Sequence, residues 1–229
     1  QWTFDAAHTG ISFTVRHMMV TTVRGSFNAF SGTLDFDPAN LGAASVEASI
    51  ETASVDTGVG DRDGHLRSGD FFDVENFPLM TFKSTSVEVK DDTIATVTGD
   101  LTIRDVTKPV TMQVEFLGLQ KNPFTGTVTL GFTANTNINR EDFNLTWNQA
   151  LESGGVLVGK EINITLDVEV VDAPAGPADV TARMIDGEGN VAMTFSEAVN
   201  LEARDRQPLT FTWDWENPQL WDLDQPNLY

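Results

Sequence analysis

Three histidines, His8, His17 and His65, supply the only imidazoles in this 229-residue chain, and it contains no cysteine. Thiolate metal sites, disulfides and cysteine nucleophiles are thereby excluded. The densest group of charged side chains is Asp61, Arg62, Asp63, His65 and Arg67. Carboxylates beside an imidazole can perform general acid–base chemistry, but only with a shifted pKa in a substrate cleft. The spacing favours a plainer role, because the acids open a helical stretch where the positive end of the helix dipole stabilises them. The histidines show no HxH or HExxH spacing, so each is expected to be a structural hydrogen-bonding group, with no metal bound. No GxSxG elbow and no glycine-rich phosphate loop with a lysine is present. The residues point to a non-catalytic protein without a metal or cofactor.

The elements that must position these groups are strands. Ile11, Phe13, Val15 and His17 share one face, with Ser12, Thr14 and Arg16 on the other. The same alternation places Val46, Ala48 and Ile50 together, then Val110, Met112, Val114 and Phe116, then Ile162, Ile164, Leu166, Val168 and Val170. Turn signals at Asp37-Pro38, Asp91-Asp92, Asn122-Pro123 and Gly154-Gly155 separate the runs. One wet face and one dry face imply an antiparallel sheet, and eight to ten such strands close most economically into a barrel or fold over as a sandwich. Residues 57–82 break the pattern with glycines, charges and then Phe71, Phe72 and Phe77 before Pro78. The sequence predicts a short helix over 61–73, N-capped by Asp63, with Leu66 packing inward beside Phe71 and Phe72. A barrel interrupted once in this way has a lid or a plug.

The chain carries 34 acids against 14 basic residues, a net charge of −20. Nucleic acid is disfavoured, since phosphates need Lys and Arg, and an anionic membrane surface is disfavoured for the same reason. The acids are dispersed, as expected for solubility or adaptation to salt. No run of 18 apolar residues suggests a transmembrane segment. No signal peptide is visible ahead of Gln1 and Trp2, which suits a mature product. Residues 172–179, DAPAGPAD, have the composition of a linker. Beyond it, strands are expected at 180–185, 191–195 and 209–215, too few for a robust independent domain. Trp213 and Trp215 share a face at strand spacing. Contact with the rest of a sandwich or with the barrel is their expected role, and stacking on sugar rings the alternative.

Residues 1–171 resemble the YceI-like family. The resemblance lies in FDAAHTGISFTVRHMM with VRGSFNAFSGTLDFDP, in SIETASVDTGVGDRDGHLRSGDFFDVENFPLMTFKS, in TGDLTIRDVTKPVTMQVEF, and in INREDFNLTWN with GGVLVGKEINITLDVEV. It covers the whole segment in order. Asp105 departs from it, standing where relatives commonly have glycine, and is expected to alter a turn. The resemblance implies an all-β fold, an extended antiparallel lipocalin-like β-barrel with one short helical segment. Its lumen would hold a long-chain isoprenoid or similar amphiphile in an exported setting, periplasmic or secreted. The tail, VTARMIDGEGNVAMTF with WENPQLWDLDQPNLY, resembles later strands of the immunoglobulin-like sandwich in β-galactosidase and β-glucuronidase type glycoside hydrolases. That implies a small C-terminal partial β-sandwich over 180–229, with no activity carried over.

Pattern alone leaves open whether the interior aromatic residues fill a core or line a tunnel. The resemblance favours the tunnel. Candidate lumen residues are Phe13, Val15, His17, Met19, Phe27, Phe71, Phe72, Phe77, Phe82, Leu101, Ile103, Phe132, Phe143 and Trp147. His17 is assigned to the ligand head group, and Met18 and Met19 supply adaptable apolar surface. The expected function is a binding or carrier protein for a polyisoprenoid or quinone-like lipid. The alternative is a filled barrel acting as a protein- or polysaccharide-interaction module. Expected partners are an apolar long-chain lipid and no nucleic acid, with a homodimer left open.

Overall fold

The computed structural model describes residues 1–37, 40–124, 126–152 and 154–172 in full, and strands 177–185 and 191–200 as backbone. The chain divides into two compact units, Gln1–Asp172 and Ala173–Tyr229. The first contains β1 (Trp2–Phe4), β2 (Gly10–His17), β3 (Thr21–Phe27), β4 (Phe30–Asp35), β5 (Ser45–Glu51) and β6 (Val55–Asp56). A single helix, α1 (Gly60–Arg67), follows, then β7 (Leu79–Val89), β8 (Ile94–Ile103), β9 (Val106–Lys121), β10 (Val128–Asn139) and β11 (Val158–Asp172). All pairings are antiparallel.

Eleven strands make a closed eight-stranded barrel because three of its staves are broken in two. β1 and β2 both pair with the same edge of β11, at Trp2↔Asp172 and at Ile11↔Leu166. β4 pairs with β1 while β3 pairs with β2, and β5 pairs with β4 while β6 pairs with β3. Each pair of short strands thus runs as one long stave with a kink. The first kink is stitched by Thr9, whose Oγ1 donates to the Glu169 carbonyl and accepts from the Glu169 N–H, both at 3.1 Å. The third contains a 3-10 turn, Thr52–Ser54, where buried Thr52 donates through Oγ1 to the Phe77 carbonyl at 2.8 Å. Kinks of this kind bend the sheet and help it close.

The alternation read from sequence sets which side chains enter. Inward positions on β10 are Leu130, Phe132, Ala134 and Ile138, facing Val170, Val168, Leu166 and Ile162 on β11. Glycines admit bulky rings: a Cβ on Gly25 would lie 2.4 Å from the Phe13 ring, and one on Gly99 would lie 2.4 Å from that of Phe82. Arg104 and Asp105 form the two-residue turn between β8 and β9. The left-handed backbone falls on Arg104 (φ +56°) and not on Asp105, so an aspartate there meets no left-handed strain.

The helix is shorter than expected and starts differently. Val59 stands at the N-cap without a side-chain hydrogen bond, and Asp63 lies inside the helix, 6% exposed. Asp63 instead accepts from the Thr57 N–H at 2.9 Å and the Thr57 hydroxyl at 2.5 Å. A turn at Gly58 (φ +74°) brings Thr57 back over the helix and takes the capping role away from Asp63. In the second unit, β12 (Pro177–Ile185) and β13 (Val191–Asn200) form an antiparallel ribbon. The expected strand over 209–215 and Trp213, Trp215 and Trp221 lie outside the described residues.

Candidate functional site

The barrel encloses a cavity of about 600 Å³ lined almost wholly by apolar side chains. It runs between two hydrophobic clusters at opposite ends of the staves. At one end, residues 60–78 fold across the opening and act as a plug. Leu66, Phe71 and Phe72 from this segment face the cavity. Phe72 packs edge-on against Phe27, with ring centroids 5.5 Å apart.

Charged side chains hold the plug, and they do so by binding backbone carbonyls. Arg67 donates to the Ala53 and Val55 carbonyls at 2.8 and 2.7 Å, and Arg62 to Thr57 Oγ1 and the Thr57 carbonyl at 2.7 and 3.0 Å. Arg104 donates to the Phe71 carbonyl at 3.3 Å, pairs with Asp73 at 3.8 Å and covers the Phe77 ring. His65 pairs with Asp70 at 2.9 Å and meets Phe71 and Trp147 edge-on. The Thr57 hydroxyl, aided by its N–H, holds the Asp63 carboxyl below its usual range. Arg62, Asp63, His65 and Arg67 therefore fasten the plug.

Arg140 lies deepest. It is 4% exposed and borders the cavity behind the plug. Nε donates to the Gly159 carbonyl at 2.9 Å, Nη1 to the Leu145 and Trp147 carbonyls, and Nη2 to Val158 at 3.4 Å. Burial pushes its pKa below the ordinary arginine value, with Glu141 acting weakly in the other direction. The residue ties the segment of Leu145 and Trp147 to the start of β11 across the barrel end. Its signal was present in the strand register, because Arg140 continues the inward series Leu130, Phe132, Ala134, Thr136 and Ile138.

At the other end, the mouth, the lining passes between the β7–β8 turn and loop 41–45. Asp91, Asp92 and Thr93 border it on one side and Leu41, Ala44 and Ser45 on the other. Phe36, Phe116 and Phe132 form a triangle inside the mouth, with centroid separations of 6.1, 6.1 and 5.3 Å. Behind it pack the buried Trp2, Leu130 and Val170.

Of the candidate lumen residues, Phe13, Val15, Phe82 and Leu101 line the cavity wall. Phe27, Phe71, Phe72 and Ile103 line the plug end, and Phe132 the mouth. Five are placed elsewhere. His17 ends β2 opposite Thr21 and Val158, outside the cavity lining. Met19 is 61% exposed in the β2–β3 turn, where Met18 and Met19 both adopt left-handed backbone (φ +50° and +62°). Phe77 lies under Arg104, Phe143 is sealed in the core, and Trp147 meets His65 edge-on and the Phe71 ring at a tilt. Outside the barrel, His8 lies 2.9 Å from Asp5 and 3.8 Å from Glu169, and its hydrogen bond to Asp5 raises its pKa. No helix among the described residues is long and apolar enough to cross a membrane.

The YceI-like domain profile matches residues 2–170. The chain belongs to the YceI-like family. A UPF0312 protein of Staphylococcus aureus (strain N315) is 39% identical over 168 residues, covering 73% of this chain and 95% of the relative. Among solved structures, Burkholderia cenocepacia BcnA superposes with a TM-score of 0.64 at 26% identity, over 72% of this chain and 98% of that one. A Campylobacter jejuni YCEI protein gives 0.59 at 32% identity, over 69% and 90%. A polyisoprenoid binding domain from Saccharophagus degradans, implicated in plant cell wall breakdown, gives 0.57 at 15% identity, over 75% and 98%, a likeness of fold.

Proposed function

We propose that the barrel of this YceI-like protein is a non-catalytic carrier that sequesters the chain of a long isoprenoid or similar amphiphile along its axis. The observation that carries this reading is the apolar cavity of about 600 Å³, inside the ~300–1,000 Å³ range of small-molecule sites. A filled barrel serving as an interaction module would need that space packed by side chains. At ~0.8 kcal/mol per buried CH₂, on the order of ten to twenty buried carbons offset the ~4–15 kcal/mol cost of association. The polyisoprenoid binding named for the Saccharophagus degradans domain points to the same ligand class. The charged groups near the plug are committed to carbonyls and to one another, which supports binding in preference to turnover. An exported setting, periplasmic or secreted, belongs to this reading through the family.

Exchange takes place at the mouth, because the plug is fastened by three arginines while aromatic contacts among Phe36, Phe116 and Phe132 line the mouth. The test is extraction of the purified chain with organic solvent and mass spectrometry of the extract, followed by rebinding of polyprenols and quinones to the emptied protein. A co-purified long-chain lipid, or saturable rebinding at one per barrel, is the expected result. Absence of both would falsify the carrier role.

A further inference from the structure

The two ends of the cavity share a property that bears on the ligand's head group. Among the described residues, neither end places a free positive charge in the cavity lining. At the mouth, the polar lining is Ser45, Asp91, Asp92 and Thr93. Asp91 is fixed there as the cap of its turn, its Oδ1 accepting from the N–H groups of Thr93 and Ile94 at 2.8 Å each and from the Thr93 hydroxyl at 3.0 Å. Those bonds hold its carboxyl below the usual range, so it is ionised at neutral pH. Asp92 beside it is exposed. Two lysines lie near this end, but neither lines the cavity: Lys90 is held by Glu88 at 2.6 Å, and Lys121 ends β9 at the base of the next turn.

At the plug end, Arg140 is the single basic residue in the lining among the described residues. Its guanidinium donates to four main-chain carbonyls, Gly159, Leu145, Trp147 and Val158. Turning it towards a phosphate or carboxylate would strand those buried acceptors, each costly to leave unpaired. A charged head group drawn into the apolar middle would lose its hydration without compensation. The field of a chain with net charge −20 opposes anions over longer range.

We infer that the lumen selects long-chain amphiphiles whose head group carries no negative charge, such as an alcohol, a quinone or an amide, and rejects the corresponding phosphates and carboxylates. The inference rests on the carrier reading and narrows its ligand class. Hydroxyl, carbonyl and amide oxygens can accept from the Ser45 hydroxyl, and hydroxyl and amide hydrogens can donate to Thr93 Oγ1 or to the Asp91 and Asp92 carboxylates, without charge repulsion.

The experiment compares one polyprenol with its own monophosphate, equal in chain length, for equilibrium binding to the delipidated full chain. It is run at low and at 0.5 M salt (a probe condition of roughly Debye-screening strength), with wild type and Asp92→Asn. Asp92 is chosen because no turn hydrogen bond depends on it. The alcohol is expected to bind about tenfold more tightly at low salt, from one or two like-charge contacts at a solvated mouth. High salt and Asp92→Asn should each narrow that gap severalfold, by strengthening phosphate binding. Equal or tighter binding of the phosphate overturns the inference and leaves the carrier reading standing. A gap that neither salt nor Asp92→Asn alters also overturns it, because the discrimination would then be steric. Binding of neither compound overturns the carrier reading, and the inference with it.

Discussion

At the plug end, Arg62, Arg67 and Arg104 donate to main-chain carbonyls of the segment and its neighbours, while Arg140 ties down the loop behind. At the mouth, Phe36, Phe116 and Phe132 meet ring to ring, and the polar rim carries Asp91 and Asp92. Charge-assisted hydrogen bonds are directional and costly to leave unmade. Aromatic contacts are worth roughly 0.5–1.5 kcal/mol each beyond their burial and tolerate sliding. The difference teaches that the two ends of one closed barrel can be held by different forces, directional hydrogen bonds at one and aromatic packing at the other.

The largest expected effect comes from removing the deepest fastening. Arg140→Ala strands four carbonyls and empties their shared donor, a loss on the order of 3–5 kcal/mol, read as a lower denaturation midpoint. Arg140→Lys should recover little, since an ammonium cannot reproduce the fork. If the lysine variant is as stable as wild type, the description of this end as held by directional hydrogen bonds fails.

Loosening the mouth should do the opposite. Phe36→Ala removes one corner of the triangle from a half-buried position, costing about 1–2 kcal/mol but speeding lipid exchange severalfold in a transfer assay. Arg104→Ala, which loosens the plug, should change exchange less than Phe36→Ala does. Faster exchange in the arginine variant would reverse the assignment of the two ends.

Between the ends, Gly25→Ala places a methyl against the Phe13 ring and the Thr57 methyl, and Gly99→Ala places one against the Phe82 ring and 2.6 Å from the Lys83 carbonyl, so that its strand must shift as well. The rings must turn into the cavity, costing about 1–3 kcal/mol from overpacking and shortening the longest polyprenol that binds. Unchanged chain-length selectivity would mean that the rings yield outward.

The smallest effect is that of pH. Asp63 has a depressed folded pKa, so its stabilisation is complete above the ordinary carboxyl pKa and is lost as pH falls through the folded value. Hydrogen exchange in residues 57–67 should therefore rise in acid before exchange in β10, and Thr57→Val should abolish that early rise. The exposed His8 behaves with the opposite sign, its contribution being present below the unfolded pKa near 6.5 and fading as pH rises through the raised one.

Much of the barrel was legible because a strand's period of two writes its burial directly into sequence. Val110 to Phe116 and Ile162 to Val170 could be assigned to an inward face without knowing their partners. The errors lie where sequence distance stops reporting spatial distance. Phe77 and Phe143 look like lumen residues by type, yet Phe77 lies under Arg104 and Phe143 sits in the sealed core. Asp63 has the composition of an N-cap, but a glycine turn returns Thr57 to it first. An arginine after a strand usually faces water, whereas the parity of Arg140 points it inward.

By itself, then, the sequence determined the alternating staves, the single interruption over 57–82 and the membership of the YceI-like family, because these depend on local periodicity and motif order. The tertiary structure alone decided that β1 and β2 share one edge of β11, that the barrel closes around an unfilled space, and which main-chain carbonyls the arginines bind. Those outcomes depend on groups some 160 positions apart, such as Thr9 and Glu169, whose meeting no local pattern encodes.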